Sequence, residues 1–317
     1  AQAPSATPSQ RGFDDNEPTN VDRLPYGTTQ GPQASLASLL QFLSDVWVRR
    51  QEILAQGDAG AVYDLYRYKP DATSRTALSE EQRVRYLRSQ EALVQELGLP
   101  RLTDENGGEL WRQAVERGEP RVRYAHQQGD PETGFLQFRN QRRVLRQNRR
   151  EIVERIYLSV RAENAPEVMR FVTRELVFNA QTTGIGGAKL AGPREVSQRR
   201  DAIVIYSEDL ASTERALERI LEYQRTHPTH FEDSPVPMTQ PISRGISVGS
   251  DPVSSSEEVS FGSVRAEAIY EALAQATSWE DFFHRVEQNF RTRRIDPAQP
   301  HRNLPPPTPP PRTPSRR

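Results

Sequence analysis

The sequence predicts an α+β protein in which helices pack on a mostly antiparallel sheet, with a helical N-terminal part. The first stretch has apolar residues at helical spacing, alternation begins at Arg121, and short strands and amphipathic helices follow. We divide the chain into a disordered segment 1–33, a helical subdomain 34–118, an α+β domain 119–293 and a proline-rich disordered tail 294–317.

Two helices are predicted in the N-terminal part. The first follows from a stripe of apolar side chains at spacings of three and four across residues 36–54. The second begins at Ser79, whose hydroxyl can cap the helix while Gln82 completes a capping box, and it ends at Gly98. Residues 63–68, which are rich in aromatic side chains, fit either a strand or the end of a helix.

The α+β domain begins where alternation replaces helical spacing. Residues 121–126 and 134–138 alternate on either side of a Gly-Asp-Pro turn, which predicts an antiparallel pair. A third alternating strand covers residues 155–160, and Asn164 is the expected cap of the helix after it. Residues 184–206 fit two further strands joined by an arginine-containing connector.

The C-terminal elements are predicted to be helical. A helix carrying Leu217 and Ile220 follows the fifth strand. Residues 226–260 are rich in Pro, Ser and Gly and are expected to form a long connection. Two more helices are expected at about residues 262–276 and 279–292.

The composition argues against several classes of function. A net charge of −1 is unlike that of a dedicated nucleic-acid-binding protein, and no apolar run approaches the ~20 residues that cross a bilayer. The absence of cysteine excludes thiol catalysis and thiolate metal sites. The glycines before Lys189 do not form a P-loop, because this lysine follows Ala and precedes Leu. We expect no metal, cofactor, nucleic-acid partner or membrane.

The basic residues point to chemistry with phosphate. The chain has two lysines, Lys69 and Lys189, among 42 basic residues. Arginine stays protonated in proteins, whereas a partly buried lysine can lose its proton and act as a base. Lys189 also fits an ordinary solvated strand residue. Four arginines stand near the ends of predicted elements, where their forked groups can match phosphate oxygens. They are Arg194, Arg200, Arg244 and Arg265.

The order of several short blocks resembles the HopA family of type III secretion effectors, over roughly residues 120–292. These blocks are RIYLSV, NAPEVMRFV, AKLAGP, RRDAIVIY, ISRGISVG and SFGSVRAEAI. The family includes relatives encoded beside kinase-like proteins in lanthipeptide and thioamitide gene clusters. The resemblance implies a phosphothreonine-lyase-like fold. It also implies elimination of phosphate from phosphoserine or phosphothreonine to give dehydroamino acids, with assistance to thioether ring closure as a further role.

The resemblance implies roles for particular residues. Lys189 would remove the α-proton, and the four arginines would neutralise the departing phosphate. An acid for the leaving oxygen would come from His126 or Tyr124 on a neighbouring strand. No metal is needed for this chemistry.

We therefore expect a cofactor-independent carbon–oxygen lyase acting on a phosphorylated peptide or protein. The alternative is a non-catalytic effector or phosphopeptide-binding module that works through host or partner proteins. A third possibility is a subunit that presents a precursor peptide to a kinase. A kinase-like protein or a secretion chaperone is the expected partner. The expected location is the cytoplasm, or a host cell after secretion.

Overall fold

The computed structural model describes residues 33–70, 77–99, 101–102, 113, 117, 119–125, 132–140, 154–179, 184–253 and 259–305, with the backbone alone at residues 101, 102 and 123–125. The predicted disordered segment and the last residues of the tail lie outside the described residues, apart from Gln33. The helices are α1 (Gln33–Val48), α2 (Arg50–Gln56), α3 (Gly60–Arg67), α4 (Glu80–Leu97), α5 (Ala165–Phe171, continued by a π-helical turn Val172–Val177), α6 (Leu210–Thr226), α7 (Phe261–Gln275) and α8 (Trp279–Thr292). The strands are β1 (Arg101–Leu102), β2 (Arg121–Ala125), β3 (Phe135–Arg139), β4 (Glu154–Leu158), β5 (Ile185–Ala191), β6 (Ile203–Ser207), β7 (Gln240–Ser243) and β8 (Ile246–Ser250).

These strands form one sheet in the order β1-β2-β3-β5-β6-β4-β8-β7. Strands β2 to β8 pair antiparallel with their neighbours, and the two-residue β1 joins β2 in parallel. The predicted α+β class, with a mostly antiparallel sheet and a helical N-terminal part, is confirmed.

Alternation along the strands gives the sheet two different faces. One face is apolar and packs against α4, α5 and α6. On the other face, Tyr157, Val204 and Tyr206 of β4 and β6 join a second core that is built from α1, α2, α3, α7 and α8. On β3 and β5, this second face carries the half-buried polar side chains of Gln137, Arg139 and Lys189.

The single helix predicted over residues 36–54 is divided at Arg49 into α1 and α2, whereas α4 begins and ends where the sequence indicates. Both hydrogen bonds of the predicted capping box form between Ser79 and Gln82, and α4 ends at Gly98 in the left-handed conformation. The aromatic segment that allowed two interpretations is helical, as α3. Its Tyr66 packs so closely on α7 that a Cβ at Gly262 would lie 2.2 Å from the Tyr66 ring.

Two predictions within the α+β domain were wrong. Residues 226–260 include the hairpin β7–β8, which turns at Gly245 with a φ of +69°. Pro and Ser interrupt the apolar alternation of these short strands in the sequence, and the pairing of β8 with β4 stabilises the hairpin. The side chain of Asn164 does not cap α5, because a 3₁₀ turn over residues 162–164 leads into this helix.

The chain through Leu304 packs on the body of the protein, although the sequence suggested a tail from residue 294. Ile295 and His301 are buried, and the ring of His301 is hydrogen-bonded to Ser35 of α1 through Nδ1 at 2.8 Å. These contacts join residues far apart in sequence, so local composition does not reveal them.

Candidate functional site

One row of residues crosses five strands on the second face of the sheet. The register pairs Arg121 with Arg139, Arg139 with Gly187, Gly187 with Tyr206, and Tyr206 with Arg155. Directly paired residues lie on the same face. We call these five residues the Gly187 row.

Gly187 lies in the middle of this row and lets Arg139 extend across β5. A Cβ at this position would lie 2.4 Å from the carbonyl oxygen of Phe138 and 2.8 Å from Cδ of Arg139. Because no side chain intervenes, the guanidinium of Arg139 reaches Tyr206, with its Cζ 4.2 Å from the ring centroid. Such a cation–π contact contributes about 0.5–2 kcal/mol. The glycine therefore places a cation on the tyrosine ring.

Lys189 lies beside the row, on the same face. It is two residues beyond Gly187 on β5 and pairs with Gln137 on one side and Val204 on the other. Its Nζ is 3.8 Å from the ring centroid of Phe135, and the side chain is half-buried. The chain's second lysine, Lys69, forms an ion pair with Glu232.

Arg155 approaches Tyr206 from β4. Its Cζ is 5.3 Å from the Tyr206 ring centroid, and its Nε donates to Oδ1 of Asp251 at 2.5 Å. Its Nη2 donates to the carbonyl oxygen of Val259 at 3.3 Å. The charge of this buried arginine is therefore balanced and its position fixed.

The electrostatics of the site act most clearly on Tyr206, which is 7% exposed. Burial by itself raises the pKa of this phenol, but the charges of Lys189, Arg155 and Arg139 outweigh burial and hold the pKa below its ordinary value of 10.0. Every other tyrosine with a shifted pKa in the described part of the chain moves upwards, chiefly because of burial. These are Tyr66, Tyr68, Tyr86, Tyr157 and Tyr223.

The predicted phosphate-binding arginines do not gather around Lys189. Arg194 is exposed in the turn after β5, and its Nε donates to Oε2 of Glu132 at 2.7 Å. Arg244 is exposed in the β7–β8 turn, at the edge of the sheet, where its carbonyl oxygen accepts a hydrogen bond from Gln224.

The other two predicted arginines bind backbone carbonyl groups. Arg200 donates to the carbonyl oxygens of Tyr68 at 2.9 Å and Pro235 at 3.1 Å. Arg265 is completely buried and donates to the carbonyl oxygen of Pro300 through Nε at 2.9 Å and Nη2 at 2.6 Å. Its guanidinium has no exposed surface at which to meet a substrate, and it secures the C-terminal segment instead.

Of the two predicted acids, the structure describes only the backbone of Tyr124, which lies in β2 and pairs with that of Leu136. His126 lies outside the described residues. Within the described ranges, no group of three or more His, Cys, Asp or Glu side chains is arranged to hold a metal ion, and no helix is long and apolar enough to cross a bilayer.

The sequence alone does not mark Arg139, Arg155 or Tyr206 as candidate site residues. Arg139 opens a cationic run, and such runs are usually solvated, while Tyr206 ends a predicted strand. Arg139 and Arg155 alternate with apolar neighbours along their strands, and this alternation was the available signal, because it assigns both to one face of the sheet. Tyr206 follows an unbroken apolar run, which carries no such signal.

A buried carboxyl group next to the site gives the protein a pH-dependent stability. Glu154 is buried at the start of β4 and accepts a hydrogen bond from Oγ of Ser250 at 2.9 Å. Burial raises the pKa of Glu154 from 4.5 to about 7, against the opposing effects of the Ser250 hydrogen bond and the charge of Arg302. The folded protein thus keeps this proton at pH values where the unfolded chain has released it.

We expect Glu154→Gln to stabilise the protein at pH 8 and to change little at pH 4.5. The free energy of unfolding of the wild type falls as pH rises from about 4.5 to about 7, because the unfolded chain releases the Glu154 proton in this range while the folded protein keeps it. A neutral amide at this position has no such proton, so it should raise the free energy of unfolding at pH 8 by up to about 3 kcal/mol. Urea unfolding at both pH values measures this difference. Glu218→Gln, on the exposed face of α6, is the matched control. An equal effect of Glu154→Gln at both pH values would contradict the raised pKa.

Residues 129–302 match the family model of the HopA1 effector protein family. This match covers more than half of the chain and includes Arg139, Arg155, Lys189 and Tyr206. No curated protein matches the chain at a significant level.

Two solved structures share the fold. The effector protein from Pseudomonas syringae pv. tomato strain DC3000 is 17% identical, with a TM-score of 0.59 over 86% of this chain and 98% of that chain. The effector protein from Pseudomonas syringae pv. syringae strain 61 is 16% identical, with a TM-score of 0.57 over the same shares of the two chains, 86% and 98%.

Proposed function

The chain belongs to the HopA1 effector protein family, and on this premise we propose that it is a carbon–oxygen lyase acting on phosphoserine or phosphothreonine in a peptide or protein. The observation that carries the proposal is the cluster of Lys189, Arg139 and Tyr206 on one face of three adjacent strands. It combines cations that suit a phosphate group with ionisable groups that can move a proton.

The cations suit a departing phosphate. Arg139 places its guanidinium charge beside Tyr206, and Lys189 adds a compact charge from the next position on the same face. Arg155 forms an ion pair with Asp251 and lies beside the Tyr206 ring, where it would hold Tyr206 in place. Donors aimed at developing charge are commonly the largest contribution to catalysis.

The proposed reaction breaks two bonds of the phosphorylated residue and forms one. A base removes the α-proton, and the electrons of the Cα–H bond form the Cα=Cβ double bond. The Cβ–O bond breaks, and its electron pair leaves with the phosphate, whose charge Lys189 and Arg139 neutralise. Two groups of the site can serve as the base, Lys189 and Tyr206.

Mass spectrometry of phosphopeptides incubated with the full chain tests this proposal. We expect each modified phosphosite to lose the mass of phosphoric acid, and the product to add an external thiol at its new double bond. Unphosphorylated copies of the same peptides are the control. Conversion to free serine or threonine would identify a phosphatase, and an unchanged mass would contradict lyase activity.

The same cations also support a second candidate, a non-catalytic effector that binds phosphopeptides. Lys189 and Arg139 would hold a phosphate group equally well without any reaction. Saturable binding of a phosphopeptide without a change of mass would favour this role. A kinase-like protein that supplies the phosphorylated residue suits the lyase, acting in the producing cell. A secretion chaperone and a target in a host cell suit the binding role.

A further inference from the structure

We infer that Tyr206 is the base of the elimination and that Lys189 serves as a permanent cation beside it. This inference rests on the proposed lyase function and reverses the assignment that the sequence suggested for Lys189.

Positive charges surround Tyr206. Cations approach it from three different strands, with Arg139 on β3, Lys189 on β5 and Arg155 on β4. Two of their guanidinium carbons lie 4.2 and 5.3 Å from the ring centroid. A phenolate is the form of tyrosine that such surroundings stabilise.

The charges around Tyr206 also favour its phenolate form. The groups that act on the pKa of Tyr206 are, besides burial, Lys189, Arg155, Arg139 and the opposing Asp251. Tyr157, the neighbouring phenol on β4, has its pKa raised by burial. The pKa of Tyr206 is therefore lowered while that of the nearby Tyr157 is raised, so the net effect of the three cations is specific to Tyr206.

Lys189 contacts the aromatic ring of Phe135. Its Nζ lies 3.8 Å from the ring centroid of Phe135. A cation–π contact is made by the ammonium ion and is lost when the amine is neutral. A base must be neutral before it reacts, so Lys189 would have to give up this contact, whereas a cationic Lys189 keeps it throughout.

The proton balance of the step is complete without another reactant. Oη of the Tyr206 phenolate accepts the α-proton and becomes a neutral phenol, while phosphate leaves with the electron pair of the Cβ–O bond. Lys189 and Arg139 stay protonated and neutralise the phosphate. Tyr206 then returns its proton to water before the next cycle.

Three variants of the full chain separate the two possible bases. Tyr206→Phe keeps the ring but removes the acceptor, so we expect at least a 100-fold loss of elimination rate. Lys189→Arg keeps the charge but cannot act as a base, so we expect it to stay within about 10-fold of wild type. Lys189→Met removes a charge that lowers the pKa of Tyr206. The pH at which the elimination rate rises should therefore move upwards in this variant.

A spectroscopic measurement tests Tyr206 independently of activity. The phenolate absorbance of wild type minus that of Tyr206→Phe, followed through a pH titration, isolates the ionisation of this residue. We expect its midpoint to lie below about pH 10 and to move upwards in Lys189→Met.

The outcomes distinguish this inference from the proposed function. If wild type eliminates phosphate, a Lys189→Arg variant as inactive as Lys189→Met, together with an active Tyr206→Phe, would overturn the inference and leave the lyase intact. If wild type eliminates nothing, the lyase proposal fails together with the base role. The titration then still decides whether the cations tune Tyr206, and a midpoint at or above the ordinary value for tyrosine refutes it.

Discussion

Replacement of Arg139 by glutamine is expected to lower the rate of phosphate elimination about 100- to 1,000-fold, the usual cost of removing one donor aimed at developing charge. Arg139 passes over Gly187 to reach Tyr206, so the change removes a cation from both the phosphate and the phenol. Glutamine can still form hydrogen bonds but has no charge and a shorter side chain, so the substitution removes the charge and shortens the side chain only. Initial rates on a phosphopeptide, followed by mass spectrometry, measure the effect.

Two other arginines serve as comparisons for this experiment. Arg225→Gln, on α6, removes a side chain that is 77% exposed, and its rate should stay within about twofold of wild type. Arg194→Gln tests the residue that the sequence favoured for binding phosphate. A larger loss in Arg194→Gln than in Arg139→Gln would contradict the site proposed on the Gly187 row.

The sequence could select Lys189 as a candidate, because its rarity follows from the composition and its strand from the residues around it. It could not place Arg139 or Arg155 beside Tyr206, because their meeting depends on a sheet order in which β5 and β6 lie between β3 and β4. A register shift between Ile185 and Gly187 decides which residue faces Tyr206. Alternation predicts the face of a residue but not its level along the strands.

The buried arginines show a different limit of prediction from sequence. Arg265 lies one helical turn after Phe261 in α7, where a charged side chain is ordinarily expected at the surface. It is buried because a carbonyl group 35 residues later satisfies it. No residue near position 265 indicates that Pro300 is its partner. The sequence therefore favoured phosphate binding for a residue that joins α7 to the C-terminal segment.

Removal of the carboxylate of Asp201 is expected to cost the most stability among single ionic changes near the site. Arg199 and Asp201 are both buried and form two parallel hydrogen bonds, from Nε to Oδ1 at 2.8 Å and from Nη2 to Oδ2 at 3.0 Å. Breaking a buried pair typically costs 3–5 kcal/mol, because the remaining charge is left uncompensated. Glu195 still binds Nη1 of Arg199 at 3.0 Å, so Asp201→Asn should lower the free energy of unfolding by about 3 kcal/mol, the low end of this range.

Urea unfolding at neutral pH measures this loss, with Asp64→Asn as the matched control. Asp64 pairs with Arg67 at the surface, where such a change costs at most about 1 kcal/mol. The change at Asp201 should also reach the site, because the Cζ of Arg199 lies 4.6 Å from the centroid of the Phe135 ring that Lys189 contacts. A loose Arg199 would free this ring and, with it, the ammonium group beside Tyr206. Equal losses in Asp201→Asn and Asp64→Asn would show that the buried pair does not anchor this side of the sheet.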